Sequence, residues 1–332
     1  MSQGKSIFSK FTGASKLIFA NPYLFIAKVL IKHPFNRLLN DKHHISLCYR
    51  GFVGRRLDWS NIKTFNEKLQ WLKLFDRQEW YWTVSDKARV REFVTSRIGS
   101  GYLIPLIAVY DSVDEIDFDL LPKQFVLKCT HDSGSAVLCE DKSKLNYAEV
   151  AAHLRSKLRS NYYYLHREYQ YYGIKPRIVC EEYIALGKSL EPIDYKFLCF
   201  NGEPKFIQVD TGRYTDHRRL IMNTDWTRAP FDIDPKYSNP DRSIKRPEKL
   251  EEMLDIASKL SRGFRFVRVD LYAEGDRIYF GELTFLQGSG YDRVEPPEYS
   301  LMLGELIDID TKQSNHRLSL NDAEDHIVQS IT

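Results

Sequence analysis

The sequence predicts an α+β chain folded into more than one lobe, and three observations carry that prediction. Its 332 residues exceed what one small core needs. Segments with apolar residues at every second position alternate with segments at helical spacing. The run from Phe266 to Gly290, FVRVDLYAEGDRIYFGELTFLQGSG, reads as a β-hairpin carrying two carboxylates, followed by a glycine-rich loop. The composition, 43% apolar and 28% charged, is that of an ordinary globular protein. With 48 basic and 45 acidic residues the net charge is only +3, which argues against nucleic acid as the main partner. The 20 tyrosines suit strands and interfaces as readily as sugar-stacking platforms.

The run from Leu17 to Ile31 is apolar, but Asn21, Pro22 and Lys28 interrupt it and it is too short to span a bilayer. It is followed by no small-residue cleavage site of the kind that ends a signal peptide. Lys5, Lys10, Lys16, Lys28 and Lys32 suit a helix lying on an anionic membrane surface; an amphipathic helix packed on the body of the protein fits equally well. Residues 41 to 82 are rich in aromatic and basic side chains. Within them TFNEKLQWLKLFDR predicts a helix with Thr64 at its N-cap, Glu67 closing a capping box, and Leu69, Leu72 and Phe75 on the core side. Arg50, Arg55 and Arg56 read as a solvated basic loop, or as a site for an anionic substrate. A second capped helix is expected from Ser85 or Asp86 to Gly99, with Lys87 in its first turn. A lysine is unfavourable there unless an anion is near or the side chain points to water.

YLIPLIAVY predicts a strand or strand pair, and QFVLKCTHDSGSAVLCED a strand, a short loop around Gly134 and a second strand. Backbone amides of such a loop can fold over a phosphate that Lys128 also reaches, although a plain hairpin turn has the same pattern. Residues 146 to 172 follow a helical pattern. DYKFLCF and PKFIQVD flank Asn201-Gly202, the strongest short hairpin signal in the chain. Residues 213 to 247, with Arg213, His217, Arg218 and Arg219, read as loop, and PEKLEEMLDIASKLSR as a helix. Cys48, Cys129, Cys139, Cys180 and Cys199 lack metal-site spacing and fit reduced thiols in a cytoplasmic protein.

In the hairpin, symmetry about Gly275 or Asp276 without a bulge sets Asp270 opposite Phe280 or Glu282, so that Asp270 and Glu282 share a face. Two carboxylates so placed repel unless a cation lies between them, and magnesium is held by one or two carboxylates together with substrate phosphates. A solvated hairpin face explains the spacing alone equally well.

As an ordered set, TFNEKLQWLKL, SDKARVREFV, FVLKCTHDSGS, CEEYI, DYKFLCFNGEP, VRVDLY and FGELTFLQGSG resemble the TupA-like branch of the ATP-grasp superfamily, found among bacterial surface-polysaccharide genes; the likeness covers about Arg50 to Asp310. The resemblance implies an ATP-grasp fold of two α+β lobes clamping a nucleotide, behind an N-terminal helical and aromatic extension. It divides the chain into an N-terminal segment (1–40), a helical and α/β lobe (41–122), a small lobe (123–186), a large lobe with the metal site (187–310) and a tail (311–332). It implies ATP and Mg2+ as cofactors. Lys87 and Lys128 would hold the phosphates under a loop from Asp132 through Ser133 and Gly134 to Ser135. Glu181, Glu182, Tyr183 and Ile184 would receive the adenine, Asp194 the ribose, and Lys196 would face phosphate or substrate. Asp270 and Glu282 would bind the metal. Thr284 stands where the superfamily usually has an Asn ligand, and Gln287 where the D-alanine ligases have proline.

The implied reaction is a ligation through an acyl phosphate, in which a carboxylate attacks the γ-phosphate and an amine then displaces phosphate. Arg213 or Arg268, together with the Gly288-Ser289-Gly290 amides, would meet the oxyanion. The implied substrates are an amino acid and a uronic acid or related carboxylate of a polysaccharide precursor. A kinase acting on a sugar hydroxyl, a glycosyltransferase and a non-catalytic membrane-docking protein are the alternatives.

Overall fold

The computed structural model describes residues 21–184, 193–212, 216–239 and 243–309. Arg213, most of the segment before Pro22 and the 311–332 tail therefore lie outside the described residues. The chain opens with α1 (Pro22–Lys32) and α2 (Asp41–Val53), then α3 (Phe65–Phe75), α4 (Trp80–Ser85) and α5 (Val90–Ile98). Strands β1 (Leu106–Tyr110), β2 (Phe125–Cys129), β3 (Val137–Cys139) and β4 (Ile178–Glu182) form one antiparallel sheet in the order β1-β4-β2-β3. Between β3 and β4 lie α6 (Tyr147–Leu158) and the short α7 (Tyr163–His166). A second sheet, in the order β10-β9-β5-β6-β7, comprises β5 (Asp194–Phe200), β6 (Glu203–Thr211), β7 (Arg218–Asn223), β9 (Phe266–Glu274) and β10 (Arg277–Thr284). The remaining elements are β8 (Asp232–Ile233), α8 (Leu250–Ser261), β11 (Val294–Glu295) and α9 (Glu298–Glu305).

Alternation along the strands gives the five-stranded sheet two unlike faces. Phe197, Cys199, Ile207, Val209, Val267, Val269 and Leu271 enter a core shared with Met253, Ile256, Ala257 and Leu260 of α8 and with Phe65, Leu69 and Leu72 of α3. The opposite face is polar. Glu282, Asp270, Lys196 and Gln208 stand side by side across four strands, each the register partner of the next. The smaller sheet has its own core, built from Phe125, Leu127, Cys129, Ile178, Cys180, Val150 and Leu154. All five cysteines are buried free thiols.

Several local expectations hold. Thr64 begins α3, and its N–H donates to Glu67 Oε2 at 2.9 Å, the Glu half of the capping box. Asn201 and Gly202 adopt φ of 50° and 83°, the left-handed pair that a two-residue hairpin turn demands. Others are corrected. In the helix expected from Ser85 or Asp86, Asp86 does cap the first turn, its carboxylate taking the amides of Ala88 and Arg89 and its carbonyl the Val90 amide, but regular helix begins only at Val90, the Lys87 amide donating instead to Thr130 O. The 146–172 pattern is broken into α6, α7 and a single 3₁₀ turn at Tyr169–Tyr171. The 213–247 segment read as loop contains β7 and β8, since β6 offers its edge to Leu220–Met222. Strand β1, expected with the preceding lobe, pairs with β4.

Helix α1 lies against α2, where a Cβ on Gly51 would come within 2.6 Å of Tyr23 O and 2.9 Å of Ala27 Cβ. Ile26, Val29, Phe35 and Leu38 remain exposed. Among the described residues no helix is long and apolar enough to cross a membrane.

Candidate active site

The two sheets bring together residues far apart in sequence. On the small sheet, Lys128 of β2 pairs with Glu181 of β4 at 2.8 Å, and Arg91 of α5 approaches the other Glu181 oxygen at 3.4 Å. After β2 the chain turns through Asp132 to Ser135. Ser135 Oγ donates to Asp132 Oδ1 at 2.5 Å and accepts from the Cys129 amide at 2.8 Å, so this hydroxyl shapes the loop from inside. Ser133 and Gly134, the latter at φ 85°, form the exposed tip. Asp132 is buried, and its Oδ2 has no hydrogen-bond partner among the described residues. Lys87 reaches this loop, its ammonium donating to the Asp132 carbonyl. Burial holds the Lys87 ammonium below its ordinary pKa, with Glu282 and Asp132 as the opposing acids that face it. Lys87 thus stands between the loop of one sheet and the hairpin of the other.

In that hairpin the turn is Gly275-Asp276, and the pairs Arg277 to Glu274 through Phe280 to Leu271 are in register. Continued unbroken, this register would leave Gly281 opposite Asp270. A bulge between Phe280 and Glu282 advances the strand by one residue and sets Glu282 opposite Asp270. The two carboxylates share a face as expected, but the bulge-free hairpin assumed from the sequence is corrected. Glycine is needed at 281 because a Cβ there would lie 2.8 Å from the Tyr272 ring and 3.0 Å from Asp270 O.

The cation required to relieve the carboxylate pair is already present in the chain. Arg268 Nε and Nη2 each donate at 2.7 Å to Asp270, Nη2 donates to Thr284 Oγ1 at 3.0 Å, and it lies 3.6 Å from Glu282 Oε1. Against the cost of burial, this bidentate pairing holds the guanidinium well above its ordinary pKa. Burial alone would raise the Glu282 carboxyl; Arg268, then Lys87, the Thr284 hydroxyl and Lys196 reverse it and keep Glu282 below the ordinary carboxylate range. The Glu282 side chain is 49% exposed, at the open side of the cleft, whereas Asp270 is 6% exposed. Among the described residues there is no group of three or more His, Cys, Asp or Glu able to hold a metal ion. Two adjacent carboxylates, one accessible, with the Thr284 hydroxyl beside them, fit a magnesium ion held largely through phosphate oxygens and water rather than by an all-protein cage.

Beside this pair, across the next strands of the same sheet, lies a buried ionic network. Lys196 Nζ donates at 2.9 Å to both Asp194 and Asp210, Gln208 Nε2 donates to Asp210 at 2.9 Å, and Gln287 Nε2 donates to Gln208 Oε1 at 2.8 Å. Arg219 Nε completes Asp210 at 2.8 Å. Burial opposes ionisation of Asp210, but Lys196 and Arg219 hold it well below the carboxylate range. Asp194 and Lys196, expected to face ribose and phosphate, are thus 8% and 2% exposed and engaged with each other. At the end of β4, Glu182 is exposed, Tyr183 Oη donates to Glu140 at 3.0 Å, and Ile184 is half-buried; residues 185–192 lie outside the described residues. The sequence reading missed Arg91, Asp210, Arg219 and the Gly281 bulge. Asp210 carried one signal, its alternation with Gln208 on the strand that faces Asp194 and Lys196.

A family described as TupA-like ATPgrasp matches residues 67–308. The chain belongs to this family. The TupA-like match runs from within α3 past the end of α9 and includes every strand of the four- and five-stranded sheets. Among curated proteins none matches. Solved structures similar to the chain include D-alanine–D-alanine ligase from Bacillus anthracis complexed with ATP, at 14% identity and TM-score 0.36, covering 61% of this chain and 55% of that one. D-alanine–D-alanine ligase from Helicobacter pylori is 14% identical with TM-score 0.39, covering 74% and 69%. D-cycloserine synthetase DcsG is 14% identical with TM-score 0.37, covering 68% and 69%. The chain thus spans little more than half the length of the first of these, and likenesses this distant say nothing of its reaction.

Proposed function

We propose that this TupA-like ATP-grasp protein is an ATP- and magnesium-dependent carboxylate–amine ligase that joins an amino acid to a uronic acid or related carboxylate of a bacterial surface-polysaccharide precursor. One observation carries the reading: Lys87, bonded to the loop that follows Lys128 on the small sheet, also faces Glu282, which shares the hairpin of the large sheet with Asp270 and Arg268. Cations and a small-residue loop on one wall and a pair of carboxylates on the other suit a triphosphate and its metal.

In this reading Lys128 and Lys87 bind the phosphates, with Glu181 and the Asp132 carbonyl holding each ammonium in place until the nucleotide arrives. A magnesium ion held by Asp270 and Glu282, with Thr284 beside them, supplies charge neutralisation on the phosphate oxygens when bound. The substrate carboxylate forms a bond to the γ-phosphorus as the bond to the ADP oxygen breaks. The amine then attacks the acyl carbon, loses a proton, and expels phosphate from the tetrahedral intermediate. Arg268, paired with Asp270 on the hairpin, would meet the developing oxyanion. The polysaccharide assignment rests on the family resemblance.

The test is ADP release with amino acids and glucuronate or galacturonate, with hydroxylamine added to trap acyl phosphate. Hydroxamate formation is the expected result; ADP release without hydroxamate would replace the ligase reading by a kinase. Lys128→Met removes a charge-assisted contact worth about 1.5–3 kcal/mol, so the Kd for magnesium-ATP should rise by roughly 10–150-fold by calorimetry. Equal weakening of acceptor and nucleotide would show that Lys128 is structural.

Exposed Ile26, Val29, Phe35 and Leu38 lie among Lys28, Lys32 and Arg37, which supports peripheral docking of this cytoplasmic enzyme on an anionic membrane face. Co-flotation with phosphatidylglycerol vesicles, lost on deleting residues 1–31, is expected; flotation unchanged by the deletion would contradict it.

A further inference from the structure

A buried ionic cluster lies behind the loop that follows the carboxylate hairpin, and the nucleotide site has no use for it. Gly288, Ser289 and Gly290 have φ of 51°, 53° and 69°, three successive left-handed residues of which one carries a side chain. Inside this 3₁₀ turn (Gln287–Gly290) the Ser289 amide donates to Leu286 O at 2.9 Å and the Tyr291 amide to Gly288 O at 3.0 Å. The other grips come from α3. Lys73 Nζ donates to Ser289 O at 2.7 Å, Gln70 Nε2 to Gly290 O at 2.8 Å, and Asn66 Nδ2 to Gly290 O at 3.0 Å and Asp292 O at 2.8 Å. Residues 66, 70 and 73 form one stripe of the helix. Glu168 accepts from Ser289 Oγ at 2.5 Å on a further side. The fit is close, for a Cβ on Gly290 would lie 2.9 Å from Leu69 Cβ.

Lys73 is 1% exposed. Burial lowers its ammonium to about 8, against the pull of Glu168, and burial likewise raises the Glu168 carboxyl. A buried charge pair of this kind is a poor way to stabilise a fold. Its contacts instead turn the carbonyls of Ser289 and Gly290 toward α3. In a trans peptide the N–H opposes the preceding C=O, so the Gly290 amide is directed away from the helix. Gly288 and Ser289 also line a cavity of about 470 Å3 with Phe52, His166, Tyr291 and Asp292.

We propose that Lys73 is a positioning residue for the acceptor half of the reaction: with Asn66, Gln70 and Glu168 it fixes the left-handed Gly288–Gly290 turn, so that the Ser289 and Gly290 carbonyls are held away from the reacting acyl group. The inference rests on the ligase reading. It makes the N-terminal helical region a working part of the site, because the geometry of the turn is dictated by α3.

The test uses the full-length Lys73→Met/Glu168→Gln variant, which removes both charges together, and Gln70→Ala, which leaves them in place. Hydrogen exchange of the peptide spanning 286–293 should quicken by about tenfold or more. Calorimetric affinity for magnesium-ATP should stay within about twofold of wild type, while kcat for ADP release with amino acids and glucuronate falls about 100-fold at an unchanged KM for ATP. Gln70→Ala should show the same split with a smaller amplitude. Unchanged exchange at 286–293 in both variants, or nucleotide affinity lost in step with turnover, would overturn the proposal. If wild-type protein releases no ADP with any acceptor, the ligase reading fails, and exchange and affinity still decide whether Lys73 holds the turn.

Discussion

Glu282→Gln is expected to abolish magnesium-dependent turnover in a protein that still folds. The substitution keeps the volume and removes the charge of the accessible member of the carboxylate pair. Outer-shell partners of a metal typically cost about 10–100-fold when removed, so loss of a direct ligand should exceed that range. Stability should change little, because the side chain is half exposed and its attraction to Arg268 and Lys87 is screened. The sign of that small change follows from its depressed pKa: ionised Glu282 contributes above its unfolded value, and the contribution is lost as pH falls through the folded value. Wild type and variant should therefore converge in Tm at acidic pH. Gly281→Ala serves as the companion, since it retains both carboxylates but collides with Tyr272 and Asp270 O and disturbs the bulge that aligns them. Magnesium-dependent activity in Glu282→Gln would contradict the metal assignment.

Arg268→Met should have the largest effect on stability. It leaves Asp270, 6% exposed, without its bidentate partner, while Lys196 is already shared by Asp194 and Asp210. Removing one member of a buried pair costs about 3–5 kcal/mol, a fall in Tm on the order of 10 °C for a chain of this size. Unpaired in the core, Asp270 would be driven toward its neutral form, so its folded pKa, already raised by burial against the pull of Arg268, would rise further above the unfolded value. The penalty is then full above that raised pKa and relieved as pH falls below the unfolded one. Thermal melts from pH 7 to pH 4 should show the deficit shrinking; a deficit independent of pH would mean that the loss is one of packing.

The sequence made the hairpins and the polar face of the large sheet legible because alternation survives burial. Asn201-Gly202 announced its turn because few residues adopt two successive positive φ angles. Asp270 and Glu282 could be placed on one face, but the register that makes them neighbours depends on a bulge, whose one signal in the sequence is the isolated Gly281 within the strand. Lys87 read as a residue in the first turn of a helix, and Asp86 does cap that turn, but the Lys87 amide is taken by Thr130 O, which is distant in sequence, and regular helix begins only at Val90. Strand β7 was hidden because only Leu220–Met222 are apolar and the pairing comes from β6. Asn66, Gln70 and Lys73 are polar positions of α3 that the periodicity gives no reason to bury. They are buried because their side of the helix meets backbone carbonyls, whose position no local pattern encodes.

The central claim, that the two sheets clamp a nucleotide over the Asp270/Glu282 hairpin, is tested most directly by thermal shift. Magnesium-ATP and a panel of sugar nucleotides would each be added to wild-type protein. At 100 times its Kd a ligand adds roughly 2.7 kcal/mol to the native state, an easily read rise in Tm. Stabilisation by magnesium-ATP, absent without the metal and lost in Glu282→Gln, is the predicted result. Stabilisation by a sugar nucleotide and not by magnesium-ATP would contradict the account and put a glycosyltransferase in its place.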